Sequence, residues 1–290
     1  MKTESGHTHS PKPDWQKLEE LNSKLQVNWE DPKEAIWAKM ENQLTEKEAA
    51  PARVIFLYRK EFRLAVAALV AVMLAMSAFM RYYADSYQIK AGEHLVVKLP
   101  DNSQVHMNAE SSISYHPFWW AFARDLEFEG EAYFEVKKGS RFQVESTNGT
   151  TTVLGTSFNI YSRNEAYRVT CLTGKVKVSN PAGTEQVVLE PNEKAEWGGD
   201  AFFKINYESQ QDIAWTTNQF VFTARSVHEV FDEIARQYNI QIEVADGIAY
   251  TYSGNFMKQN DIRSVLGYVC RPFGLNFTEV TAGVFRIEKN

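Results

Sequence analysis

Four glutamates recur along one short stretch, Glu127, Glu129, Glu131 and Glu135, and clustered carboxylates are what general acid–base catalysis or a calcium site would use. Their spacing argues against both. Over 126–136, Leu126, Phe128, Ala132, Phe134 and Val136 fall on one side, and the glutamates with Tyr133 on the other, the pattern of a half-buried strand. Same-face neighbours on a strand stand about 7 Å apart, so the acidic row predicts a wetted face rather than a ligand cage. Of the six histidines, His7 and His9 lie in a polar tail; His94, His106, His116 and His228 are at least ten residues apart with no second ligand beside them. Cys171 and Cys270, 99 residues apart, read as small buried apolar residues rather than a disulfide framework or zinc site. No G-x-x-x-x-G-K, G-x-S-x-G or H-E-x-x-H occurs. The expectation is a chain that is not an enzyme and holds no cofactor or metal.

The 290 residues suffice for two ordinary domains, and 44% apolar content supports sizeable cores. A net charge of −6 argues against a nucleic-acid binder, because phosphate contacts need a basic surface. Residues 64–80, LAVAALVAVMLAMSAFM, are uncharged. With Phe62 and Arg63 they make 19 residues, or roughly 28 Å of helix, close to a bilayer core of about 30 Å. Arg53, Arg59, Lys60 and Arg63 precede the stretch, whereas Arg81 and Lys90 follow it. Basic flanks stay in the cytoplasm, so the N-terminus is predicted inside, with about 60 residues there and about 210 outside. Tyr82, Tyr83 and Tyr87 would form the outer aromatic belt, Tyr58 and Phe62 the inner one.

Inside, residues 1–13 read as a loose tail. Asp14 can cap a helix with Trp15, Leu18, Leu21 and Leu25 at helical spacing; Asp31 can cap a second, with Pro32 at its first position and Ile36, Trp37, Met40 and Leu44 along one face. Two short helices cannot bury Trp29 and Trp37 by themselves, so these residues and their neighbours are predicted to bury against another protein, as a helix in a groove.

Outside, residues 87–207 alternate, with turn signals every 8 to 15 residues: Pro100-Asp101-Asn102, Lys138-Gly139, Asn148-Gly149, Thr173-Gly174, Pro181-Ala182-Gly183, Pro191-Asn192 and Gly198-Gly199. This predicts an all-β sandwich, barrel or stack, with Gly130 at a bulge. Residues 218–287 repeat after 35 positions: Ser226 on Asp261, Val230 on Val265, Ile234 on Val269, Ala235 on Cys270, Asn239 on Gly274 and Ile242 on Phe277. The pattern predicts a capped helix between two strands, twice, as a duplicated βαβ unit in a small α+β domain.

The blocks LPDNSQVHMNAESSISY (99–115), EGEAYFEVKKGSRFQVES (129–146), VLGTSFNIYS (153–162), VTCLTGKVKVSN (169–180) and VLEPNEKAEW (188–197) together resemble the periplasmic domain of FecR-type anti-sigma regulators. Asn102 and Asn192 stand where that family usually has glycine; asparagine tolerates a left-handed conformation, so the turns should survive. Residues 218–290 resemble the family's C-terminal domain, similar in pattern to the signalling domains of TonB-dependent receptors and secretins.

The resemblance implies a multidomain, single-pass inner-membrane protein: a short α-helical cytoplasmic segment (1–61), one transmembrane helix (62–80), an all-β periplasmic domain (87–207) and a C-terminal signalling domain (218–290). It further implies that the inside segment binds an extracytoplasmic-function sigma factor, for which Leu21, Leu25, Trp29, Ile36, Trp37, Met40 and Leu44 are the candidate contacts. The outside would receive a signal from the N-terminal signalling domain of a TonB-dependent outer-membrane receptor, controlling transcription of iron-chelate or glycan uptake genes. A membrane protease cutting the anchor belongs to such systems, and the alanine-rich span is compatible with it. The alternative from another class is a cell-envelope scaffold or glycan-binding protein without regulatory output.

Overall fold

A computed structural model of the chain describes residues 15–24, 31–45 and 60–289. Its contacts divide it into two units, residues 1–67 and 68–290. In the first, α1 (Trp15–Lys24) and α2 (Lys33–Thr45) are short helices. Asp14, Leu25, Trp29 and the inner flank Arg53, Tyr58 and Arg59 lie outside the described residues. At the start of α2 the Pro32 carbonyl accepts from Ala35 N at 2.8 Å, while the Asp31 carboxylate pairs with Lys39 at 3.0 Å. The helix therefore starts at Lys33, with Pro32 rather than Asp31 at the cap position, and the aspartate carboxylate is used for charge pairing. The third helix, α3 (Lys60–Tyr82), has 23 residues, about 34 Å at 1.5 Å per residue, and none is buried. It is one helix long and apolar enough to cross a membrane.

Strands fill 85–206 in the second unit. They are β1 (Asp85–Gln88), β2 (Leu95–Lys98), β3 (Gln104–Met107), β4 (Ser112–Tyr115) and the long β5 (Arg124–Glu135). There follow β6 (Phe142–Ser146), β7 (Gly149–Val153), β8 (Ser157–Arg163), β9 (Ala166–Thr173) and β10 (Val176–Ser179). The last three are β11 (Gln186–Leu189), β12 (Glu193–Trp197) and β13 (Phe202–Asn206). The first half of β5 belongs to one sheet, ordered β1-β4-β5-β6-β7-β10-β11; its second half belongs to another, ordered β2-β3-β5-β8-β9-β12-β13. Only β5–β6 is parallel among these pairs. Both sheets contribute to one core: the Phe128 and Phe134 rings, from the two halves of β5, meet edge to face at 5.4 Å, and Phe134 stacks on Phe158 at 5.0 Å. Of the three architectures the sequence left open, this is the sandwich.

Gly130 is the corner where β5 changes sheet. Its φ is +110°, and a Cβ there would sit 2.3 Å from Ser111 Oγ. The sequence reading expected a bulge; the residue instead turns the whole strand, and Ser111 Oγ replaces the lost ladder by accepting from Glu131 N and donating to Glu131 O, each at 3.0 Å. Every predicted turn signal falls between strands or at a strand end, and Asn102 and Asn192 both take φ 64°, as expected of asparagines standing in for glycine.

The C-terminal part contains β14 (Gln219–Ser226), α4 (Val227–Tyr238), β15 (Gln241–Val244), β16 (Thr251–Met257), α5 (Ile262–Cys270), β17 (Leu275–Thr281) and β18 (Val284–Lys289). Ser226 caps α4 by accepting from His228 N, and Asp261 caps α5 by accepting from Arg263 and Ser264 N. Asn239 ends α4 at φ 52°, and Gly274 ends the single 3₁₀ turn that prolongs α5 at φ 61°. The element order repeats, but the strands do not form βαβ units. The partners β14 and β16 pair antiparallel in a sheet of their own. The unforeseen β18 runs between β15, to which it is parallel, and β17, to which it is antiparallel. Each helix thus links a strand of one sheet to a strand of the other, and its apolar stripe (Val230, Phe231 and Ile234 in α4; Val265, Leu266 and Val269 in α5) is buried with Phe285 and Ile287 of β18.

At Gly130 the obstruction is partly backbone, since the Ser111 Cα lies 2.6 Å from the added Cβ. Gly130→Ala is expected to destabilise the full chain by about 3 kcal/mol. Gly183→Ala, at φ +71° with open space around it, should cost about 1 kcal/mol. Urea unfolding of the full chain in detergent checks both; equal costs would contradict the corner assignment.

Candidate functional site

The sequence-predicted contact residues sit on α1 and α2. Leu21 is 56% exposed, Trp37 59%, Met40 47% and Leu44 72%, while Ile36 is half-buried. Ile36, Trp37, Met40 and Leu44 lie at i, i+1, i+4 and i+8 on α2, so one face carries them. Leu25 and Trp29 are outside the described residues, so they are not placed beside them.

A second cluster lies where α4 meets the β sandwich. On α4, Glu229, Glu233, Arg236 and Gln237 follow at helical spacing and make one polar stripe opposite the apolar one. Below it stand Asn108, after β3, with Glu131 of β5, Asn159 and Tyr161 of β8, and Arg168 of β9. Asn108 Nδ2 donates to Glu131 Oε2 at 2.8 Å, and Asn159 Nδ2 donates to Glu131 Oε1 at 3.1 Å. Gln237, 3% exposed, donates to Asn108 Oδ1 at 2.5 Å and to Glu233 Oε1 at 2.9 Å. Its own oxygen lies 3.0 Å from His94 Nε2, so that ring nitrogen carries the proton. Arg236 grips Glu233 Oε2 through Nε and Nη2 at 3.1 and 2.9 Å, and its carbonyl accepts from Gly92 N at 2.7 Å. The Arg168 guanidinium sits over the Tyr161 ring at 3.9 Å and donates to Glu229 at 2.9 Å.

The segment 208–217, which the sequence reading gave no structure, extends this seam as a 3₁₀ stretch, Ser209–Thr217. Its Asp212 accepts from Lys194 Nζ at 2.9 Å and from Thr170 Oγ1, and the Lys194 side chain is 2% exposed beneath the Tyr207 ring. Burial, with Arg225 and Arg168 nearby, holds the Lys194 ammonium below its usual range. Burial works against Asp212, yet Lys194 and the hydroxyl of Thr170 hold its carboxyl below the ordinary carboxylate range. The cavity beside these groups is about 100 Å³, lined by Glu131, Tyr161, Lys194 and Trp215 among others. Small-molecule pockets run from about 300 Å³ upward, so this cavity is a gap in the joint. Among the described residues no cluster of three His, Cys, Asp or Glu suits a metal ion.

Glu131 corrects the sequence reading. The alternation predicts it on the wetted face of its strand, whereas it is 8% exposed; Glu127 and Glu129, on the same row, do keep contact with water. The sequence held one unused signal. Under the 35-residue repeat, Glu229, Glu233 and Gln237 fall on Ser264, Tyr268 and Pro272, so the two helices agree on their apolar faces and diverge where α4 meets the sandwich.

Burial, then the neighbouring Glu233, pushes the Glu131 carboxyl up to about 7. Burial would raise Glu233 too, but Arg236 and Arg163 hold it below the ordinary range. The folded chain therefore keeps a proton on Glu131 that the unfolded chain releases near 4.5; the stability this gives is full below that pH and is lost as pH rises through about 7. His94, lowered by burial, slopes the other way: its contribution is present above 6.5 and is lost as pH falls through its lowered value. The difference between parent and Glu131→Gln isolates the carboxyl. The variant is expected to be more stable by about 2 kcal/mol at pH 8 and equal to the parent below pH 5, in urea titrations across that range. A pH-independent difference would mean that Glu131 stays charged.

Comparison with known proteins bears on the second cluster. Residues 85–177 match the family described as FecR protein, and residues 219–284 match FecR, C-terminal. Two crystal structures of a provisionally assigned anti-sigma factor from Parabacteroides distasonis ATCC 8503, at 1.65 and 2.50 Å resolution, are similar to the chain. Each is 26% identical with a TM-score of 0.67; they cover 71% and 72% of this chain, and 99% and 100% of their own. No curated protein matches the sequence. The chain belongs to the FecR family, whose FecR and FecR C-terminal domains meet here across the polar seam of α4 and Glu131.

Proposed function

We propose that the chain is a membrane-spanning anti-sigma regulator, with α2 as the sigma-binding element. The observation that carries this reading is the apolar face of Trp37, Met40 and Leu44, left exposed on a helix that precedes a membrane-length span, in a chain with both FecR domains. Two partly exposed helices gain most by burying such a face in a partner's groove. The solved relatives described as an anti-sigma factor support the assignment of that partner.

The finer reading follows from charge and family. Lys60 and Arg63 at the start of α3, with Arg53 and Arg59 before them, favour a cytoplasmic N-terminus, a periplasmic location for both FecR domains and residence in the inner membrane. The sigma factor is then of the extracytoplasmic-function class, and the outer domains receive the signalling domain of a TonB-dependent receptor, docked on the C-terminal domain through a strand edge. Docking must favour one of two states, differing in whether the sigma factor is held, and control of nutrient-uptake genes follows from that shift. An intramembrane protease acting on α3 is a further step of the same scheme.

Co-purification of the full chain with candidate extracytoplasmic-function sigma factors tests the assignment. Trp37→Ala is expected to weaken binding about tenfold or more, as loss of a central aromatic anchor does. Phe203→Ala, on β13, should leave it unchanged. Undiminished binding by Trp37→Ala would refute the α2 site.

A further inference from the structure

Between β4 and β5 the chain reads Pro117-Phe118-Trp119-Trp120-Ala121-Phe122, with no charged residue from 117 to 123. The loop is a hydrogen-bonded turn: Trp119 N donates to His116 O at 3.1 Å, and Phe122 N donates to Trp119 O at 2.9 Å. Trp120 fixes it from within, 4% exposed against Tyr115 and Phe142 at 5.5 and 5.7 Å. Arg124, which closes the loop, is also turned inward. Phe118 and Phe122 point the other way, 47% and 74% exposed, and Trp119 packs on Phe122 at 4.8 Å. A tight turn has thus been built to display rings outward, where water disfavours them.

The same loop rests on the C-terminal end of α3. Phe118 lies 6.0 Å from the Phe79 ring and 5.4 Å from the Tyr83 ring. The Arg81 guanidinium sits over Trp119 at 5.4 Å, and His116 Nδ1 is 3.0 Å from the Tyr83 carbonyl. Only Tyr83 and Ala84 separate α3 from β1, so there is no tether to swing on. Phe79 belongs to the uncharged stretch 64–80, and a ring packed against its side shares its depth. Any bilayer that holds the last turn of α3 therefore reaches Phe118.

We propose that this loop is a second membrane contact: Phe118, Trp119 and Phe122 insert into the leaflet that holds the end of α3, with lipid as their occupant. The inference rests on α3 crossing a bilayer. Apolar rings then enter the acyl boundary while the Trp119 indole and Arg81 stay at headgroup level, the arrangement that interfacial aromatics and snorkelling cations favour. Held at two points, the sandwich keeps one attitude to the membrane, and a load applied to its far end reaches α3 instead of being lost in a swivel.

Spin labels on the full chain in lipid nanodiscs test this. Cys171 and Cys270 are buried, so a label goes to an introduced cysteine: Ala121→Cys, which leaves every loop aromatic in place, Leu69→Cys in mid-helix, or Val188→Cys on β11. The expected result at 121 is an oxygen-to-nickel-chelate accessibility ratio several-fold above that at 188 and approaching that at 69. High access to both reagents at 121, meaning water, overturns the proposal, as does low access to both, meaning a protein partner. A watery label at 69 would show that α3 does not span, and overturns the anchor together with its premise; a bilayer value at 69 with a watery 121 overturns the anchor alone.

Discussion

At Gly130 the longest strand leaves one sheet and enters the other, through a left-handed step open to a residue without a Cβ. Much of the second unit depends on that step. It lets one strand pair with β4 and β6 in the first sheet and with β3 and β8 in the second, so a single strand ties the two layers together. The alternation runs through the corner unbroken: Phe128, Ala132 and Phe134 all stay in the core, and Glu131 keeps the opposite face with Glu127, Glu129 and Tyr133. Past the corner that face belongs to the second sheet, and α4 covers it at Glu131, in the joint between the domains.

That joint is polar almost throughout. Carboxylates, guanidiniums and amides meet there with few apolar side chains, and interfaces of this kind hold domains together with less commitment than an apolar core does. Removing such charges from water is costly, and the attraction between them returns that cost only while each keeps its partner. A displacement of α4 would unpair Glu229 from Arg168 and Gln237 from Asn108 together. The seam consequently favours one docked arrangement over partly docked ones, the behaviour expected of a joint that passes on a state rather than a gradation.

On the other side of the sandwich the constraint is distance along the chain. Two residues connect α3 to β1, and the aromatic turn before β5 packs on the last turn of the same helix. The C-terminal domain meets the sandwich by way of the 3₁₀ stretch and α4. Rigid contacts thus run from the C-terminal domain to the end of the membrane-length helix, while α1 and α2 display apolar faces that their own unit leaves uncovered.

Local patterns were legible without a structure. The uncharged run of α3, the capping Ser226 and Asp261, the left-handed Asn102 and Asn192, and the alternation that buries Phe128 and Phe134 follow from side chains acting within a turn or two of themselves. By itself the sequence determined the caps of α4 and α5, the apolar face of most elements, and that the chain is FecR-like. Pairing between distant segments was decided by the tertiary structure alone. Whether β14 joins β15 or β16 depends on which partner completes a sheet once β18 has entered between β15 and β17, and no local period encodes that choice. The burial of Glu131 has the same origin: a polar side chain looks alike in sequence whether it faces water or another domain's amides, and only the approach of α4 removes the water.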